Sequence, residues 1–306
     1  GATVGWIPES DVDVTDAPTP PPPQKAIFGF GYTGSYVSMS NLVNSSGVVA
    51  TDVTGVGTAR YFLAAAGYGT DKAIFGYGYT GSKVSMSNLV NNSGVVAADV
   101  TGVGTARSAL AAAGYGGDKA IFGYGSTAGV TNLSNLVSNS GVVAADVSGV
   151  GTSRQYIAAA GYGTDKAIFG YGTTGSNTAI TNLVSNVGVV AADVSGVGSA
   201  RQGIAAAGYG TDKAIFGYGY ISGYVSMSNL VNNSGVVAAD VTGVGTTRGS
   251  LSAATYGADK AIFGFGEAPY TGITNLVSNS GVIATDTTGV GTARKGAGAA
   301  GYSLSA

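Results

Sequence analysis

Six times along the chain an arginine follows an aspartate by eight positions: Asp52 and Arg60, Asp99 and Arg107, Asp146 and Arg154, Asp193 and Arg201, Asp240 and Arg248, Asp286 and Arg294. A carboxylate and a guanidinium at fixed spacing suit two tasks. They can form a charged ligand site, or they can tie two stretches of backbone together by charge-assisted hydrogen bonds. Six like copies point to the second: a side chain fastening an outer strand to the loop that enters the next unit. The alternative is a ring of equivalent ligand sites.

Other chemistry is sparse. Histidine and cysteine are absent, which removes imidazole acid–base catalysis, thiol nucleophiles, disulfides and nitrogen–sulfur metal sites. Beyond residue 24, Glu267 is the only glutamate, and the aspartates recur at even spacing instead of converging as a general acid–base pair would. The strings GVGTAR and GYGTDK follow no strand-to-helix turn of the phosphate-binding kind and read as tight turns. No catalytic residue, metal or cofactor is expected, and the chain is not expected to be an enzyme.

These residues recur because the chain repeats. Lys25, Lys72, Lys119, Lys166, Lys213 and Lys260 are 47 positions apart, and each opens the string KAIFG. A period of about 40–50 residues is that of propeller blades, each a small sheet unable to bury its faces alone. Within one unit, residues 72–78 form a short apolar run bounded by glycines, suited to a strand buried on both faces. Residues 84–90 alternate, NNSG turns the chain, and residues 95–100 (VVAADV) read as a further strand. The run ALAAAG at 109–114 is too short for helix propensity to decide, and its small side chains fit a crowded axis.

The expected fold class is therefore all-β: a six-bladed β-propeller of four-stranded antiparallel blades spanning residues 25–306, preceded by an arm of residues 1–24. The first unit lacks an alanine strand ahead of Lys25, whereas residues 294–303 (RKGAGAAGYS) end the chain with one. The C-terminal strand is thus expected to complete the first blade and remove an open edge. A β-solenoid is the rival architecture, but it leaves this complementation of the termini unexplained.

The arm carries Glu9, Asp11, Asp13 and Asp16 with no basic residue, and Pro18 and Pro20 to Pro23 favour an extended course. Trp6, the only tryptophan, is a candidate docking anchor there. Overall, 14 basic residues against 16 acidic ones leave no electrostatic footprint for nucleic acid. No apolar run is long enough to span a membrane, and the first residues lack the pattern of a signal peptide, so neither membrane insertion nor self-directed secretion is expected.

The succession of an arginine (Arg107), a small-residue strand (AAAGYG) and an apolar strand ending in glycines (KAIFGYG) resembles the kelch repeat, over residues 25–306. That resemblance implies a β-propeller. The near-identical tandem units rich in NLV, GVV and GVGTAR are also similar to repeat proteins encoded by tailed bacteriophages. This implies a virion location, with the arm bound to other virion proteins; an extracellular location is the alternative. Sialidase chemistry, also six-bladed, needs a converging arginine cluster and an Asp-box, and kelch-bladed copper oxidases need histidine and cysteine ligands; neither set occurs here.

The units differ mainly in two loops, which strand alternation brings to one face. One reads YTGSY, YTGSK, STAGV, TTGSN, YISGY and EAPYTG; the other, after the arginine, reads YF, SA, QY, QG, GS and KG. Varied loops on a rigid frame suit recognition. The candidate binding residues are Tyr32, Tyr36, Tyr61, Phe62, Tyr79, Lys83, Gln155, Tyr156, Gln202, Tyr220, Tyr224, Glu267 and Tyr270, with a host surface glycan or receptor as ligand. Drift in tolerant loops is the plainer account of the same variation. Function is expected to be non-enzymatic: a structural and binding module of a virion, or alternatively a free lectin.

Overall fold

The computed structural model describes residues 24–302, so the N-terminal arm and Trp6 lie outside the described residues apart from Gln24. Among the described residues no helix occurs. Six separate antiparallel sheets form. The first comprises β1 (Lys25–Tyr32), β2 (Tyr36–Val43) and β18 (Gly298–Tyr302); the second, β3 (Ala64–Tyr68), β4 (Lys72–Tyr79) and β5 (Lys83–Val90). The third holds β6 (Ala111–Tyr115), β7 (Lys119–Gly123) and β8 (Ser134–Val137); the fourth, β9 (Ala158–Tyr162), β10 (Lys166–Gly170) and β11 (Thr181–Val184). The fifth holds β12 (Ala205–Tyr209), β13 (Lys213–Tyr220) and β14 (Tyr224–Val231); the sixth, β15 (Ser252–Tyr256), β16 (Lys260–Gly264) and β17 (Thr274–Val277). This arrangement is compatible with a repeat, propeller-like fold.

In every sheet the KAIFG strand is central, and its Ala-Ile-Phe run is wholly buried because both faces meet neighbouring sheets. The expected pairing of the chain ends is present as a ladder: Lys25 lies opposite Tyr302 and Phe28 opposite Ala299. Apolar clusters bridge adjacent sheets. One joins Phe30 and Tyr302 to Leu63 and Phe75, and another joins Phe28 and Val43 to Ile262 and Phe265, linking the first sheet to the sixth. The interlock is tight: a methyl group added at Gly76 would sit 2.6 Å from the Phe122 ring of the next sheet.

The sheets have three strands, not the expected four. The segment expected as the fourth, residues 95–100 and its equivalents, touches its neighbour only at isolated bridges, such as Val43 with Val49 and Ser40 with Val53. Three positions separate the first members of those bridges and four the second, so one surplus residue breaks the ladder as a bulge does. Side chains occupy the gap. The Asn41 amide donates to the Ala50 carbonyl at 3.0 Å and to Asp52 at 2.9 Å, taking bonds that a continuing strand would have made with backbone.

A second irregularity shapes the inner core. Tyr77 has φ 64° between Gly76 and Gly78, where the pairing of β4 with β5 shifts register. The kink sends the Tyr77 ring inward, where it is 1% exposed. Tyr68 and Tyr115 are buried as well, in keeping with packing roles.

Candidate recognition face

The arginines come first, because their burial decides their role. Arg60, on the connection into the second sheet, is 0% exposed. It donates from Nε to the Tyr77 carbonyl at 2.8 Å, from Nη1 to the Thr58 carbonyl at 3.0 Å, and from Nη2 to Asn88 Oδ1 at 2.6 Å. Its guanidinium also lies 4.2 Å over the Phe30 ring of the first sheet. Burial lowers its pKa to about 10, against the opposing pull of Asp99. Groups enclosed in this way offer nothing to a ligand; they hold neighbouring sheets together.

Their acidic partners are not the ones suggested by sequence. Arg60 stands 3.8 Å from Asp99, not beside Asp52, while Arg294 is the cation near Asp52, also at 3.8 Å. Likewise Arg107 meets Asp146, Arg154 meets Asp193, and Arg201 meets Asp240. Asp286 accepts from the Thr246 hydroxyl at 2.6 Å and is the carboxylate that acts electrostatically on Arg248. The eight-residue spacing runs along a connection that crosses from one sheet to the next, whereas each aspartate folds back to the entrance of its own sheet. There Asp99 accepts from the Thr58 hydroxyl at 2.6 Å and from the Thr58 amide.

The two varied loops do share one face. Isolated bridges join them in each unit: Tyr32 with Lys295, Tyr61 with Tyr79, Ser108 with Ser126, Gln155 with Thr173, Gln202 with Tyr220, and Gly249 with Glu267. Inside these bridges runs a cycle of six backbone hydrogen bonds. Phe62 N–H donates to Gly296, Gly296 to Ser250, Ser250 to Gly203, Gly203 to Tyr156, Tyr156 to Ala109, and Ala109 to Phe62, at 2.8–3.0 Å. All six residues have φ between 50° and 61°.

The aromatic candidates fall into one large group and one smaller pair. Tyr61 stacks with Tyr36 (5.6 Å, 27°) and lies 5.3 Å from Tyr32, 4.3 Å from Phe62 and 5.9 Å from Tyr79. Phe62 reaches across the ring to Tyr156 at 5.2 Å, edge to face. Tyr270 joins at the edge of Tyr32, while Tyr220 and Tyr224 pair with each other at 5.3 Å. Between the two groups lies a hollow of about 440 Å³, lined by Tyr61, Phe62, Tyr156, Tyr220 and Tyr224 together with Gly203 and Ser250. Gln202, Glu267 and Lys295 supply its polar edge.

Glu267 accepts from Ser250 Oγ at 2.8 Å and from Lys295 Nζ at 2.6 Å. Burial disfavours the charge on Lys295, but the bond to Glu267 outweighs it and holds the ammonium above its ordinary pKa. Burial raises the hydroxyl pKa values of Tyr61, Tyr156 and Tyr224, so each stays a neutral donor.

Six expected residues do not line the hollow: Tyr32, Tyr36, Tyr79 and Tyr270 pack in the aromatic group beside it, and Lys83 and Gln155 are engaged elsewhere. Lys83 spends its ammonium on Ser126 Oγ and the Thr127 carbonyl of the adjoining unit, and Gln155 is held through the bridge to Thr173. Lys295 and Ser250 line the hollow but are not among the residues expected from sequence. The signal was available: Lys295 occupies the same varied position as Tyr61, and Lys83 and Lys295 are the only lysines outside the KAIFG string.

No family model and no curated protein matches the chain. The kelch and phage resemblances accordingly rest on repeat motifs alone.

Proposed function

We propose that the chain is a six-bladed β-propeller, closed where β18 completes the first blade, and that it serves as a non-enzymatic recognition module whose working surface is the face of varied loops. The supporting observation is the asymmetry of that face. A scaffold built from six near-identical units gathers aromatic side chains from the second, fourth and fifth sheets around one hollow, with Tyr36 of the first sheet stacked on Tyr61. Repeat symmetry alone does not require this. The opposite face repeats its turns: Asn91 Oδ1 accepts from the Ser93 and Val95 amides, and Ser138 Oγ does the same for Ser140 and Val142.

The test is replacement of Tyr36, Tyr61, Phe62 and Tyr224 by serine, followed by binding to a glycan array and to a panel of bacterial surfaces. Binding should fall sharply while thermal unfolding stays close to the parent's. Replacing Asn91 and Asn92 by serine should leave binding intact. Binding that survives the first change and fails with the second would place the working face at the other end, and binding to neither array nor cells by the parent would sink the proposal. A virion module would co-sediment with phage particles, whereas a free lectin would bind as an isolated chain.

A further inference from the structure

From the walls and the polar edge of the hollow, and resting on the recognition role just proposed, we infer that its ligand is a neutral saccharide seated between Tyr156 and the Tyr220–Tyr224 pair. Three observations converge on this. The first is backbone conformation. Phe62 and Tyr156 hold φ of 51° and 52°, in the left-handed region, at positions where Gly203 and Gly296 serve in two other units and the small Ala109 and Ser250 in the remaining two. Side chains are disfavoured there, and glycine is not. Two bulky rings kept at strained positions that glycine, alanine or serine fill elsewhere indicate that the rings themselves are required. They meet edge to face at 5.2 Å, and both line the hollow.

The second is the kind of polar group supplied. A pyranose offers one face of C–H groups, which stacks on an aromatic ring, and a rim of hydroxyls, which each donate and accept. Glu267 offers an acceptor carboxylate, Gln202 an amide able to do both, and Tyr156 and Tyr224 hydroxyl donors. Hydroxyl donors and acceptors at the edge of an aromatic-walled hollow of about 440 Å³ match such a ligand in size and chemistry.

The third is charge. The single ammonium at the hollow, Lys295, is already bonded to Glu267 at 2.6 Å. An anionic sugar or a phosphate would compete with that carboxylate instead of meeting a free cation. A neutral ligand leaves the pair intact and uses the outer lone pairs of Glu267.

Saturation-transfer NMR and calorimetry with maltotriose, cellotriose, chitotriose and 3′-sialyllactose test the assignment. At least one neutral trisaccharide should receive saturation and bind more tightly than sialyllactose. Phe62→Gly and Tyr156→Gly should each weaken that binding about tenfold or more, and Glu267→Gln should weaken it as well. Because glycine is native at two of the equivalent positions and relieves the left-handed strain, both glycine variants should unfold at or above the parent's temperature, so loss of binding would not reflect loss of fold. Absence of binding by all three neutral sugars, preference for sialyllactose, or full binding by the glycine variants would overturn the saccharide assignment. Cell-surface binding that is lost in the Tyr36, Tyr61, Phe62 and Tyr224 serine variant but survives glycosidase treatment of the cells would point to a protein ligand, leaving the recognition role standing and the sugar excluded. Cell-surface binding retained by that serine variant would end the recognition role itself.

Discussion

Arg294 donates from Nη2 to Asn41 Oδ1 at 2.6 Å, across 253 positions of the chain. The same guanidinium donates to the Phe30 carbonyl at 2.8 Å and lies 3.9 Å from the Phe265 ring centroid. One side chain near the C-terminus therefore touches the first and the sixth sheets at once. Removing residues 294–306 would delete this contact and β18, exposing the edge of β1 and the apolar residues packed against it. The truncated chain should lose cooperative unfolding or aggregate, as read by calorimetry and light scattering. A melt matching the parent's would show that the ends of the chain are dispensable.

Arg154→Ala should destabilise without touching the varied face. The guanidinium is fully buried and satisfies the Tyr171 and Thr152 carbonyls and Asn182 Oδ1, so its removal leaves three acceptors without a donor. A cost of about 3 kcal/mol is expected. Urea unfolding measures it, and a midpoint within error of the parent's would mean that the arginine is not structural.

Acid should weaken the fold. At Asp99, as at Asp52, Asp146, Asp193, Asp240 and Asp286, burial favours the neutral form, but hydrogen bonds from the threonine or serine of the same sheet and from the asparagine outweigh it and hold the pKa below 3.8. Each carboxylate thus binds its proton later in the folded chain than in the unfolded one. Its contribution is complete above about pH 4 and is lost as pH falls through the lowered folded values. Melting temperature measured from pH 6 to pH 2 should drop in that window, and Asp99→Asn should make the drop shallower.

Gly76→Ala should cost about 1–3 kcal/mol, because the added methyl would lie 2.6 Å from the Phe122 ring that fills the next sheet. Gly129→Ala is the matching control. Nothing lies within 4 Å of a methyl group there, so its effect should stay within about 0.5 kcal/mol. Equal effects in chemical denaturation would show that the sheets are not interlocked through this ring.

Much of the scaffold is fixed by local sequence. The KAIFG strands are central because an unbroken apolar run must be covered on both faces, and Lys25, entering without an alanine strand before it, requires one from the other end of the chain. The two varied loops reach one face because consecutive strands reverse direction. Tertiary structure decided what depends on side chains competing for partners. Asn41 displaces a backbone bond at Ala50, so the run after it forms bridges and not a fourth strand. Arg60 chooses Asp99 over Asp52 because a connection that crosses between sheets places nearby residues in different sheets. Glu267 and Lys295, 28 positions apart, meet only because the sixth sheet lies beside the first. Periodicity reports which faces are covered, but it carries no information on which neighbour a polar group selects once the sheets have packed.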